Sequence, residues 1–405
     1  MTRVYILAGV RTPFGNFGGS LKDVSLVDLS AHVLRAVVER AGTSPGMVEE
    51  IFWGNGDTAE AEETNTPVVA RQALLKAGFP SATVSLNMDR ACCSGTAAIQ
   101  MAWRALRSGE ANVVIAGGAQ SLSRTPFVLR GLRWEGKKAG PFSWEDPIWP
   151  LGYRDYNPVA VDAGEVAVEY GVGRQEQDEW AYSSQMRCDL ARREGKFAME
   201  IVPVEVPAGK GATRLFGEDE FPKSHTTLEG LAKLSPIFGS PTCTAGNSPG
   251  LNDGASAILM VSEEGLGRLG KEPLAEVLTV AAIASEPRLI PVVPALAIKE
   301  ALRRVGLNLA DLSLIEINEA FAAMPLVSTR VLAGEDEAVL TYLRAITNVN
   351  GGAIAIGHPL AASGARLVMT LAYELARRGG GYGVAAICGG LAQGDAVLVQ
   401  VPDNR

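Results

Sequence analysis

Histidine, cysteine and aromatic side chains are scarce in this sequence: three histidines, five cysteines and 6% Phe, Trp and Tyr among 405 residues. So few thiols cannot staple a chain of this length. Cys92, Cys93, Cys188, Cys243 and Cys388 are therefore expected as free thiols, serving either as small buried side chains or as chemistry. Positive charge is not in excess either: 37 basic residues stand against 45 acidic ones, a net charge of −8. That balance repels a phosphate backbone, so nucleic acid is not expected as a partner. Long apolar runs are missing. The longest stretch without Asp, Glu, Lys or Arg, residues 345–365, carries Asn348, Asn350, His358, Pro359 and four glycines, and so cannot be a membrane span. Residues 1–10 lack a basic segment leading into an apolar core and a cleavage site, so the expected location is the cytoplasm.

What remains is a globular composition, 47% hydrophobic and 20% charged with 45 glycines, in a chain long enough for two or three packed units. Apolar runs alternate with helical patterns. Residues 4–7, 51–53 and 113–116 read as strands, while Leu26, Leu29, Val33 and Val37 mark one face of a helix over 25–40 that Gly42 ends. Such alternation argues for parallel strands with helices on both faces.

The chain also resembles itself. Residues 36–55, AVVERAGTSPGMVEEIFWGN, match 300–318, EALRRVGLNLADLSLIEIN: a helix, a stop glycine, an apolar strand, then Asn. Further on, Cys92-Cys93-Ser94-Gly95 and the run VVIAGG parallel Ala361-Ala362-Ser363-Gly364 and AAICGG. Matches in the same order imply two copies of one α/β unit. The first copy spans 1–120 with 245–265 and the second 266–405. Between them, 121–244 has a different texture, with Trp134, Trp144, Trp149 and a charged helix over 175–197, and reads as an inserted domain of loops and helices.

Four strand-end segments carry the residue types of acyl chemistry. Cys92 directly precedes a helix, where the dipole and free N–H groups favour a thiolate. His358 is pinned between Gly357 and Pro359 on a tight turn, suiting a base that reaches a thiol on another segment. Cys388 ends a strand and is followed by Gly389-Gly390, whose backbone amides can approach a ligand oxygen. Asn318 follows the strand 314–317, and its amide can hold a water or an oxyanion. Taken singly, each of these is equally readable as an ordinary core or turn residue. Together they make a site at the carboxyl ends of an α/β sheet.

These segments resemble those of the thiolases, enzymes that make or split 3-oxoacyl-CoA thioesters. The matching elements are Arg11-Thr12-Pro13-Phe14-Gly15, Cys92-Cys93-Ser94-Gly95, Gly246-Asn247 with Gly250-Leu251-Asn252-Asp253-Gly254-Ala255, Asn318-Glu319-Ala320-Phe321, Gly351-Gly352 through Gly357-His358-Pro359, and Cys388-Gly389-Gly390. The resemblance implies duplicated α/β units with mixed five-stranded sheets packed in layers, and an inserted domain that holds coenzyme A. It implies that Cys92 is acylated and that His358 activates it. Asn318 would position a water that stabilises an enolate oxygen, and Cys388 would move the α-proton. The amides of Cys92 and Gly390 would form an oxyanion hole. Lys223, Asn247 and Ser248 would contact coenzyme A. The substrates would be acetoacetyl-CoA or longer 3-oxoacyl-CoA, with CoA as partner, no cofactor or metal, and a homodimer or homotetramer.

Several positions depart from that pattern. Asp89 stands where Asn is usual, Pro249 replaces a Ser, Gln120 ends the Gly117-Gly118 motif, residues 159–164 lack the Met-Gly over the acyl pocket, and Gly390-Leu391-Ala392-Gln393 interrupts a glycine run. They bear on the acyl and CoA pockets and leave the four catalytic positions intact. A ketoacyl synthase would need a second active-site histidine, whereas His32 and His225 fall in a helix and in the insertion. A Cys-His hydrolase gives Cys388 no task. A catalytically impaired CoA-binding protein is the remaining alternative.

Overall fold

The protein is described from a computed structural model covering residues 2–56, 67–129, 131–132, 136, 140–149, 151–209 and 211–402; Trp134 of the inserted region lies outside these residues. Its first half contains β1 (Val4–Arg11), the short β2 (Gly15–Asn16), β3 (Glu50–Gly54), β4 (Val84–Met88) and β5 (Val113–Ser121). The inserted region carries a hairpin, β6 (Val204–Gly209) with β7 (Ala212–Phe216), and the helices Val159–Glu169 and Arg174–Arg193. The chain then returns as β8 (Asn252–Ser262), which pairs with both β1 and β5. The second half adds β9 (Ala275–Ala284), β10 (Leu312–Ile317), β11 (Gly381–Gly389) and β12 (Gln393–Val401).

The strand order β4-β3-β5-β8-β1-β9-β12-β11-β10 reads the same way outward from its middle. Pairing is mixed rather than all parallel: β3 is parallel to β4 and β5, and β10 to β11, while β8 and β12 run antiparallel to their neighbours. The two halves join edge to edge through only Tyr5 with Glu276 and Ile6 with Ala275. Where the first half has β4, the second has a single bridge, Thr347 beside Ile315, so its sheet has four strands rather than the expected five. The cause is Asn348, which takes a positive φ of 50°. Its side chain replaces the ladder, accepting from the N–H of Ile317 at 2.8 Å and donating to the Ile317 carbonyl at 2.8 Å.

Apolar residues on both faces of the strands set the layers. Val113 and Ile115 face outward onto Leu29, Val33 and Val37 of the helix Leu26–Arg40, whereas Val114 and Ala116 face inward onto Ile99, Leu106 and Val368. The helix Val293–Val305 covers the other outer face with Ile298 and Leu302. Ser25 caps the first of these helices, accepting from the Asp28 N–H at 3.0 Å. Two central helices, Ser94–Ser108 and Leu360–Arg377, lie between the sheets and touch each other.

The glycines of the repeated Ser-Gly pair explain that contact. A side chain on Gly95 would meet the Ala361 carbonyl oxygen at 2.5 Å, and one on Gly364 would meet the Thr96 nitrogen at 2.4 Å. Two backbones can approach this closely only without Cβ atoms. The N-terminal ends of both helices are thus brought together, and with them Cys92 and His358.

Candidate active site

Cys92 lies in a single 3-10 turn, Ala91–Cys93, that leads into the central helix. The turn is held from several sides. Ala91 adopts φ 47°, its N–H donates to Asp89 Oδ1 at 2.8 Å, and Ser94 Oγ accepts from the Arg90 N–H while donating to the Ala91 carbonyl at 2.6 Å. Beneath it, buried Asp395 ties Arg90 at 3.0 Å to Thr96 at 2.8 Å.

His358 approaches from the other half. Gly357, at φ 109°, leaves no room for a side chain, since a Cβ would lie 2.8 Å from the Asn252 side chain. Asn252 Oδ1 in turn accepts from the His358 N–H at 2.9 Å. The imidazole has three polar neighbours. Nδ1 is 2.6 Å from Ser363 Oγ, and Nε2 is 3.2 Å from Cys92 Sγ and 3.4 Å from Asn318 Nδ2. Asn318 can only donate through Nδ2, so Nε2 carries the lone pair and Nδ1 the proton, donated to Ser363. A base with its lone pair aimed at a thiol is the result.

Electrostatics keep the pair neutral at rest. Burial, then the Arg366 guanidinium, lowers the His358 pKa to about 3. Burial first, with Asp89 adding to it, pushes the pKa of the partly buried Cys92 thiol up to about 12. Desolvation of the charged form thus opposes the pull of the adjacent helix N-terminus on this thiol. Cys388, buried at the end of β11, is likewise pushed up by burial and by Cys92.

Asn318 is fixed by its N–H donating to the Ala386 carbonyl at 3.0 Å, and its Oδ1 is buried with no hydrogen-bond partner. Its neighbour Glu319 anchors the loop, accepting from Trp180 Nε1, Ser184 Oγ, Asn348 Nδ2 and the Ile354 N–H at 2.8–3.1 Å. Gly390 lies in the tight turn between β11 and β12, where Leu391 and Ala392 both take positive φ.

The structure therefore brings Cys92, His358 and Asn318 into direct contact, with Cys388 electrostatically coupled to Cys92. The expected coenzyme A contacts are different. Asn247 is buried, with its amide on Asp178 Oδ1 and the Thr242 carbonyl and its own carbonyl accepting from the Ala322 N–H; Ser248 Oγ donates to the Thr244 carbonyl at 2.6 Å. Both side chains bond within the 242–248 turn or to Asp178, and the backbone of Asn247 joins that turn to Ala322. Lys223 stacks on Phe221, with its ammonium 4.7 Å from the ring centroid, and its N–H donates to Gln185.

Ser363, Asn252 and Glu319 stand in the repeated or matching segments but were given no role there, and Asp395 was not singled out. For Ser363 the local geometry was readable, because the first turn of a helix that starts just after His358 points its side chain back towards that residue.

Two family models match the chain in succession: the thiolase N-terminal domain over residues 4–264 and the thiolase C-terminal domain over 271–401. An acetyl-CoA acetyltransferase of Chromobacterium violaceum is 41% identical over 403 residues, covering 98% of this chain and 100% of that protein. A beta-ketoadipyl-CoA thiolase of Acinetobacter baylyi is 39% identical over 414 residues, covering 99% and 100%. Among solved structures, human mitochondrial 3-ketoacyl-CoA thiolase in complex with CoA superposes with a TM-score of 0.91 at 36% identity, covering 99% of this chain and 98% of that one.

Proposed function

The chain belongs to the thiolase family of acyltransferases, and from that premise we propose that Cys92 carries an acyl group between two coenzyme A thioesters in a reversible Claisen condensation. The observation that carries this reading is the shared nitrogen: Cys92 Sγ and Asn318 Nδ2 both face His358 Nε2, at 3.2 and 3.4 Å.

In the synthetic direction His358 Nε2 takes the Cys92 proton as sulfur attacks the first thioester carbonyl. The C–S bond to coenzyme A breaks, and the departing thiolate takes the proton of Cys388. Acyl-Cys92, an imidazolium and a Cys388 thiolate remain. Cys388 then removes an α-proton from acetyl-CoA, and the carbanion attacks acyl-Cys92. The Cys92 sulfur leaves and recovers its proton from His358.

Before substrate arrives the three groups are neutral. Both thiols are pushed up and His358 is pushed down, so ions form only as substrate arrives. In the second step imidazolium Nε2–H can donate to the enolate oxygen. The unpartnered Asn318 Oδ1 can accept from a water whose other hydrogen reaches the same oxygen. The amides of Cys92 and Gly390 would hold the acyl oxygen. No cofactor enters any step, coenzyme A being substrate and product.

Among the described residues β4 ends the strand order, which supports the expected self-association. On β4, Val84 and Leu86 are 59% and 43% exposed, an apolar edge suited to a second copy.

The half-reaction tests the function. Labelled CoA should exchange into acetyl-CoA with no second thioester present, and Asn318→Ala should preserve that exchange while condensation falls at least tenfold. Absence of exchange in the wild-type protein would favour a CoA-binding role without catalysis.

A further inference from the structure

Tyr153, from the inserted region, packs against the turns that carry Cys92 and Cys388, and none of the steps above uses it. The residue is 37% exposed as a whole, yet its hydroxyl end points inward. A methyl group placed on Gly390 would lie 2.0 Å from Tyr153 Oη and 2.8 Å from Cζ, with Ala91 Cβ at 3.3 Å. Ala91 immediately precedes the nucleophile, and Gly390 closely follows Cys388. The phenol is wedged between the two catalytic turns. Burial, with Cys92, Asp89, Cys388 and Cys93 near it, keeps the phenol protonated.

Among the described residues, Cys388 shares one buried cluster with Ala160, Phe321, Ile354 and Ala392, side chains that already fill the space on that side of it. Tyr153 is partly exposed and sits against both turns, beside the residue that precedes Cys92 and the one that closely follows Cys388. We propose that Tyr153 is a specificity-determining residue whose ring closes the acyl pocket and confines Cys92 to short acyl groups. This deepens the thiolase reading and rests on it. A pocket closed by one ring discriminates among chains by the methylenes it can hold, each worth about one to two orders of magnitude in kcat/KM.

The test compares thiolysis of acetoacetyl-CoA and 3-oxooctanoyl-CoA by wild type, Tyr153→Phe and Tyr153→Ala, with Tyr153→Leu as the milder truncation should the alanine variant fold poorly. Wild type should favour acetoacetyl-CoA. The alanine or leucine variant should raise the ratio of kcat/KM for the long over the short substrate at least tenfold, and phenylalanine should leave that ratio within about twofold of wild type. An unchanged ratio after truncation overturns the proposal. So does a wild type that already prefers the long chain, or a phenylalanine variant that shifts the ratio as far as alanine does, which would assign selectivity to the hydroxyl. A wild type that cleaves neither substrate overturns the thiolase reading itself, whereas activity on both with no effect of Tyr153 overturns only this inference.

Discussion

Removing the hydroxyl of Ser363 should slow acylation without touching the nucleophile. Ser363 is fully buried, and its Oγ stands 2.6 Å from His358 Nδ1 and 3.5 Å from the Pro359 carbonyl. It accepts the Nδ1 proton and so fixes the tautomer that leaves a lone pair on Nε2, 3.2 Å from the Cys92 sulfur. In Ser363→Ala the buried N–H is orphaned, at a cost of about 1–3 kcal/mol. The ring escapes that cost by turning or by moving its proton to Nε2, and either change disables the base. If about 1–2 kcal/mol of this appears in the barrier, acylation falls roughly five- to thirtyfold. The assay is the rate of acetyl transfer from acetyl-CoA to Cys92, followed by intact mass. Thermal unfolding reports the fold, and Ser363→Thr restores a hydroxyl. Acylation by the alanine variant within about twofold of wild type, with the fold intact, would refute the orientation argument.

Three further outcomes follow from the same geometry. Asp89→Asn keeps an acceptor for the Ala91 N–H but removes a charge that raises the Cys92 pKa; alkylation of Cys92 should quicken roughly two- to fivefold, less so in high salt, and slower alkylation would contradict the assignment. Because His358 is lowered from 6.5 to about 3, it is already neutral throughout the range from about pH 5 to pH 9. Since Cys92 is raised to about 12, its alkylation rate should climb steadily across that range; a step centred near 6.5 would show His358 titrating normally. Glu319→Ala removes the acceptor of Trp180 Nε1, Ser184 Oγ and the Ile354 N–H and one of two acceptors of Asn348 Nδ2 and should lower stability by about 3 kcal/mol or more, read from urea unfolding. A change under about 1 kcal/mol would show that the loop does not depend on it.

The doubling of the fold was legible because its cause lies in the sequence. The Ser-Gly pairs at 94–95 and 363–364 recur since both glycines are needed where the central helices touch. His358 was legible for a similar reason: Gly357 has a positive φ and no space for a side chain. Features resting on long-range side-chain contacts were not. Nothing in the local pattern says that Asn348 will stand in for a strand by bonding both backbone groups of Ile317. Nor does it say that Glu319 will collect donors from three separate segments. At Cys92, proximity to a helix terminus is visible in the sequence, while the burial that pushes the thiol pKa the other way is not. Asn247 and Ser248 lie in the matching motif, but the bonds their side chains make to Asp178, Thr242 and Thr244 are not legible there.

The central claim is that Cys92 is the acyl carrier and Cys388 the proton carrier of one cavity. Intact mass and peptide mapping after incubation with acetyl-CoA, for wild type and Cys388→Ala, test it most directly. Both proteins should gain a single acetyl group on Cys92, and only wild type should release acetoacetyl-CoA. A wild type that stays unmodified, an acetyl group on any other residue, or condensation by Cys388→Ala at the wild-type rate would contradict it.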